Sequence, residues 1–218
     1  MIVKIAIYIT KNPFVRKNLF LKKFLKIISK IFAKIIYGRY KKISIASKYS
    51  FLIDSNFAFS NFENWNVGHN KGFKKLLDIS KNKKVVFDVG AHIGLCTLPL
   101  SQLVSNVYSF EASPTNIKYL NNHLKINNSN NVNVIPHLVG SENINNVDFY
   151  NVDDGSGIPS IANLKIKKKN LAINNIKVNQ IFLDDFVNTK SIIPDVLKID
   201  VEGAEFNVLD GATKILKE

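Results

Sequence analysis

The sequence is poor in cysteine, in acid at one end, and in unbroken apolar runs. Cys96 is the only cysteine among 218 residues, so no intramolecular disulfide forms and a cysteine-rich zinc site is excluded. The histidines His69 and His123 show no ligand spacing, and no metal site is expected. No carboxylate occurs before Asp54, although 13 of the 30 Lys and Arg lie in residues 1–53. The remaining 17 bases face all 17 acids, so the body is electrically balanced and a nucleic-acid role for the whole chain loses its electrostatic support. The apolar run 5–9 is too short for a signal-peptide core, and lysines interrupt every longer stretch, so neither cleavage nor a membrane span is expected. A reducing compartment, the cytoplasm, is the default.

What is present begins with a helical period over residues 14–37. At about 100° per residue, Lys22, Lys23, Lys26, Lys30 and Lys34 share one arc, and Phe20, Leu21, Phe24, Leu25, Ile28, Ile31, Phe32 and Ile35 share the opposite one. A basic amphipathic helix of this kind suits an anionic membrane surface, such as the inner membrane face, or docking on the protein itself. Residues 38–70, which mix Gly, Ser, Asn and aromatics without clean period, read as a linker and then a lid or packing segment. The expected organisation is a basic segment 1–53, a connecting segment 54–83 and a main domain 84–218.

From Lys84 the pattern alternates. Strands are expected at VVFDV, at NVYSFE (106–111), at 132–137, at 147–151 and at DVLKIDV (195–201), with helices over 93–104, 114–127 and 204–217. Near-continuous apolar strands separated by helices mark an α/β fold, a doubly wound and mostly parallel sheet with helices on both faces.

Three strand ends carry chemistry. The first is Asp88-Val89-Gly90-Ala91-His92-Ile93-Gly94. Its D-x-G-x-x-x-G pattern differs from the G-x-G-x-x-G dinucleotide fingerprint, and an acid on the strand end disfavours a pyrophosphate and favours a cofactor bearing an ammonium or hydroxyl donors. The second is Glu111, followed by Ala112, 21 residues past Gly90, where a carboxylate accepts both hydroxyls of a ribose. The third is LKIDVEGAE (197–205). Here Asp200 is the best candidate for orienting a substrate hydroxyl or taking its proton, whereas Glu202 and Glu205 also suit the start of a helix. His92 is an alternative base, though a space-filling loop histidine is the plainer account.

FDVGAHIG, FEASPTN, the loop DDGSGIPSIAN (153–163), LDDF and VLKIDVEGAEFNVLDGATKIL, in this order, resemble the FkbM family of S-adenosylmethionine-dependent methyltransferases over residues 84–217. The resemblance implies a class I methyltransferase fold and methylation of a hydroxyl, commonly of a sugar in a glycan, glycolipid or secondary metabolite. It assigns Asp88, Gly90, Ala91, His92, Gly94, Glu111 and Ala112 to the cofactor, puts the adenine near His137, and matches Asp200, Glu202 and Glu205 to its signature strand and turn, with Asp200 and Glu202 as the catalytic candidates. It also implies a sheet in strand order 3-2-1-4-5-7-6, of which this sequence supplies the first four strands. Two expectations follow: an O-methyltransferase acting on a saccharide, or a shortened, non-catalytic remnant attached to a membrane surface.

Overall fold

The computed structural model of the chain describes residues 12–45, 48–59, 71–152 and 173–217. The run 5–9, His69 and the loop 153–163 lie outside the described residues. The molecule divides into two compact units, Met1–Lys74 and Lys75–Glu218, so the segment expected to connect them is shared between both.

In the first unit the expected helix is broken in two, α1 (Pro13–Lys17) and α2 (Leu19–Tyr37). Asn18 makes the break: its side chain accepts from the Leu21 amide at 3.0 Å and caps α2, a use of asparagine that competes with continuing the helix. Next comes an antiparallel hairpin, β1 (Tyr40–Ile45) and β2 (Tyr49–Asp54), where a linker was expected. Its alternation is regular, with Ile43, Ile45, Tyr49, Phe51 and Ile53 buried and Lys42, Ser50 and Leu52 exposed. A short 3-10 turn, Ser55–Phe57, follows, capped by the Asp54 side chain.

Helix α2 packs against this 3-10 turn and β1. Its most buried position is Ala33, 1% exposed, and the Tyr37 ring lies edge-on to Phe59 at 6.4 Å. Lys41 sits 4.7 Å from the Tyr37 ring and donates to the Ala58 carbonyl at 2.6 Å. The small residue and the ring thus face the hairpin, while Phe20 (81% exposed), Ile35 (74%), Phe24, Ile27, Ile31 and Phe32 point away from it. Among the described residues no helix is long and apolar enough to cross a membrane.

Helix α3 (Gly72–Ser80) crosses the boundary between the units. The second unit is built on a parallel four-stranded sheet of β3 (Val85–Val89), β4 (Asn106–Phe110), β5 (Val132–Ile135) and β9 (Val196–Ile199). Their spatial order, β5-β4-β3-β9, is the 3-2-1-4 half of the expected sheet. Helices α4 (Thr97–Ser101), α5 (Pro114–Ile126), α6 (Leu183–Lys190) and α7 (Glu205–Asp210) accompany it. Two expected helices are shorter than anticipated. The segment 93–104 is helical only at α4, and α7 gives way at Gly211, whose Cβ position is 2.1 Å from the Gly140 carbonyl oxygen.

One sheet face presents Phe87, Val89 and Phe110 to Phe186, Val187, Leu183 and Val208, so the α6 and α7 layer closes the larger core. The rings of Phe87, Tyr108, Phe110 and Phe186 meet edge-to-face with centroids 5.1–6.0 Å apart, a geometry worth about 0.5–1.5 kcal/mol per pair beyond burial. A second sheet, absent from the sequence reading apart from one short strand, joins β6 (Leu138–Val139), β7 (Ile144–Val152) and β8 (Ile173–Ile181) in the order β6-β8-β7.

Candidate cofactor and acceptor site

Backbone hydrogen bonds stitch the carboxyl ends of the four parallel strands into one edge. The Asp200 amide donates to the Val89 carbonyl at 3.1 Å, Gly90 and Ala91 both donate to Phe110 at 3.0 Å, and Glu111 donates to Ile135 at 3.1 Å. Asp200, the 88–94 loop, Glu111 and the start of the His137 turn therefore follow one another along the edge, in the register the strands impose. The glycines of that loop fit the protein itself. Gly90, at φ +77°, lies so close to β9 that a Cβ would stand 2.0 Å from the Asp200 carbonyl oxygen, and at Gly94 it would meet Leu120 at 2.6 Å.

Asp88 is fully buried. Its carboxylate pairs with Lys198 at 2.8 Å and accepts from the Thr97 hydroxyl at 2.6 Å, and Thr97 in turn lies 3.1 Å from the Ser109 hydroxyl. Since Thr97 gives its proton to Asp88, Ser109 is the donor in that last contact. Ser109, Asp88 and Lys198 occupy one row across β4, β3 and β9, because each is the register partner of the next. Asp88 is thus neutralised from within, where the sequence suggested an acid facing a cationic ligand.

Lys198 is the residue that sequence reasoning missed. Its side chain is 13% exposed, and the ammonium also donates to the Gly90 carbonyl at 3.0 Å and approaches Asp200 at 3.9 Å. Burial alone would lower its pKa, but Asp88, with Cys96 and Asp200, outweighs that and raises it above the ordinary lysine value. The signal was a lone charge inside the otherwise apolar run VLKI, which demands a partner on the neighbouring strand.

Glu111 is 6% exposed and already holds three donors. Oε2 accepts from the His92 amide at 2.8 Å, and Oε1 accepts from the Ser113 amide at 2.8 Å and the Asn116 side chain at 3.2 Å. His92 reaches it through a left-handed backbone, φ 53°. Burial pushes the Glu111 carboxyl above the usual range, and the Ser113, His92 and Asn116 donors offset part of this. A carboxylate accepts about four hydrogen bonds, so room remains for roughly one hydroxyl. Ala112 points elsewhere, into a small cluster with Leu138 and Phe149.

The remaining residues differ in exposure. The His137 Nδ1 atom is buried without a hydrogen-bond partner among the described residues, and burial lowers its pKa, so the ring is neutral near pH 7. Asp200 is 72% exposed, one residue past β9. Glu202 is exposed on a left-handed turn at φ 53°. Glu205 accepts from the Gly203 amide at 3.1 Å, which holds its carboxyl below the usual range and marks it as part of the turn. In LDDF, Asp184 accepts from the Thr213 hydroxyl and the Lys214 and Ile215 amides, a structural cap. His123 is buried with Nδ1 2.8 Å from the Ile93 carbonyl. Among the described residues no three His, Cys, Asp or Glu converge on a metal position.

Three comparisons bear on this edge. A curated relative, the tRNA(Phe) (4-demethylwyosine(37)-C(7)) aminocarboxypropyltransferase of Methanocaldococcus jannaschii, is 35% identical over 82 residues, covering 37% of this chain and 32% of that protein. The chain therefore spans about a third of that relative. Among solved structures, the methyltransferase FkbM of Methylobacillus flagellatus matches with a TM-score of 0.43 and 16% identity over 74% of this chain and 40% of its own. M. jannaschii TYW2, in complex with AdoMet, matches with a TM-score of 0.34 and 30% identity over 45% and 44%. The model of the methyltransferase FkbM domain matches residues 88–218, which begin at the buried Asp88 and take in every parallel strand end described above but the first residues of β3. On that match the chain belongs to the FkbM methyltransferase family, enzymes of the S-adenosylmethionine-dependent class.

Proposed function

We propose that the chain transfers a methyl group from S-adenosylmethionine to a hydroxyl, on a saccharide of a glycan or glycolipid. The observation that carries this is the division between two carboxylates on one strand edge: Glu111 is buried with one acceptor position left, and Asp200 is open to solvent. The donor supplies a methyl group already activated on a sulfonium. Glu111 would hold a ribose hydroxyl, and the adenine would lie beside the turn that carries His137. Asp200 would orient the acceptor hydroxyl and take its proton. Lys198 keeps Asp88 out of competition, since that carboxylate is already paired. Alignment of the reacting oxygen is the main task, for which orientation gains run to about 7–11 kcal/mol.

A second reading, aminocarboxypropyl transfer to RNA, is favoured by the M. jannaschii relative and opposed by the equal numbers of bases and acids in residues 54–218. The coproduct separates the two readings. Breaking the methyl–sulfur bond leaves S-adenosylhomocysteine, and breaking the aminocarboxypropyl–sulfur bond leaves methylthioadenosine. The full chain incubated with the donor and a panel of sugar acceptors is expected to release S-adenosylhomocysteine; methylthioadenosine released with tRNA overturns the proposal. A lone thiol and this donor suit the cytoplasm as the compartment.

A further inference from the structure

The first unit holds an apolar face turned away from its own hairpin. Along α2, Phe20, Phe24, Ile27, Ile31, Phe32, Ile35 and Ile36 are each at least 42% exposed, whereas Ala33 is buried. Scattered exposed apolar residues are ordinary, but seven large ones on a single 19-residue helix form a contiguous patch of the kind that marks an interaction surface. The helix has spent its small face on the hairpin and kept its large apolar arc outward.

Charge decides the occupant. Residues 1–53 carry 13 bases and no acid. Lys34, Arg39, Lys42 and Lys48 are exposed beside the arc or on the hairpin that follows it. A second copy of the chain docked arc to arc would bring two such acid-free segments together, which like-charge repulsion opposes. A surface both apolar below and anionic above meets both features at once. We propose that α2 lies in the interface of a membrane rich in anionic lipid, with Phe20, Phe24, Ile27, Ile31 and Ile35 entering the acyl boundary and the flanking bases meeting headgroup phosphates.

The test uses the full chain with sonicated vesicles of neutral phosphatidylcholine, or of the same lipid with about a quarter phosphatidylglycerol, in a sedimentation assay. At low salt, binding to the anionic vesicles is expected to exceed binding to the neutral ones by at least about tenfold and to fall as salt rises past the screening range. Ile31→Asn with Ile35→Asn is expected to lower anionic binding about tenfold while leaving the unfolding midpoint unchanged, because both side chains are already solvated. Equal binding to both vesicles, or none, overturns the proposal. So does a concentration-dependent dimer in analytical ultracentrifugation that the double variant abolishes, since that outcome assigns the arc to a second copy. None of these readouts depends on the transferase reaction.

Discussion

The two units handle charge in opposite ways. The second unit takes a lysine and an aspartate into its interior, sets them in register on adjacent strands, and uses the pair to tie the β3 loop to β9. In the first unit no acid precedes Asp54, Lys34, Arg39, Lys42 and Lys48 are exposed, and large apolar side chains turn outward. Charge inside with a partner serves geometry; charge outside, on the membrane proposal above, would serve encounter. Where a side chain puts its charge is thus a better guide to its task than the net charge of +13.

The sharpest way to break this comparison is to remove one half of the inner pair. Lys198→Met leaves Asp88 buried and unpaired, and is expected to cost on the order of 3–5 kcal/mol in denaturant unfolding, whereas adding Asp88→Asn should restore much of the loss. A loss under about 1 kcal/mol would mean that the pair is not the tie described here. The same lysine predicts an alkaline limit. Its folded pKa lies above its unfolded value near 10.5, so its stabilisation is complete below that pH and is lost as pH rises through the folded value. Lys198→Met should remove that alkaline slope.

The next effect concerns the division between the two carboxylates. Glu111→Gln is expected to weaken cofactor binding by about 10- to 100-fold in calorimetric titration, since one hydrogen bond to a charged acceptor contributes roughly 1.5–3 kcal/mol. Asp200→Asn should leave that affinity near normal and lower turnover. Equal behaviour of the two variants would erase the distinction between them.

The smallest effect is at Cys96. Burial, partly countered by Lys198, pushes its thiol up to about 12, so alkylation near pH 8 should be far slower than for a free thiol. Fast labelling of the folded chain would show that the thiol, half-exposed as it is, is not held up by its surroundings.

Much of the second unit was legible because parallel strands announce themselves. VVFDV and NVYSF are short apolar runs ending at Gly90 and Glu111, and PTNIKYLNNHLKI begins with a serine cap and a proline in its first turn. The β1–β2 hairpin does not stand out in the sequence, because Lys41 sits on the inward register of YKKISI, Leu52 on the outward register of YSFLID, and Gly, Ser and Asn surround both. Strand β8, INNIKVNQI, hides its period behind asparagines, and its pairing with β7 is a distant contact that no local pattern encodes. At the site the residue types were readable, but their engagement was not. That Asp88 is spent on Lys198, and that three amide N–H donors already fill most of Glu111, depends on register and backbone turns that only the folded chain displays.

The approach of Gly90 to Asp200 has a consequence for how such a site evolves. The loop and the carbonyl that precedes Val201 touch with no clearance for a single methyl group, and the amide of Asp200 is fastened to Val89 beside it. The 88–94 loop and the backbone of Asp200 are therefore one mechanical part, and neither can be retuned by drift at position 90 without moving the other. If Asp200 takes the acceptor's proton as proposed, new acceptor specificities come from segments off this edge, and the spacing between donor and proton acceptor is the inherited constant.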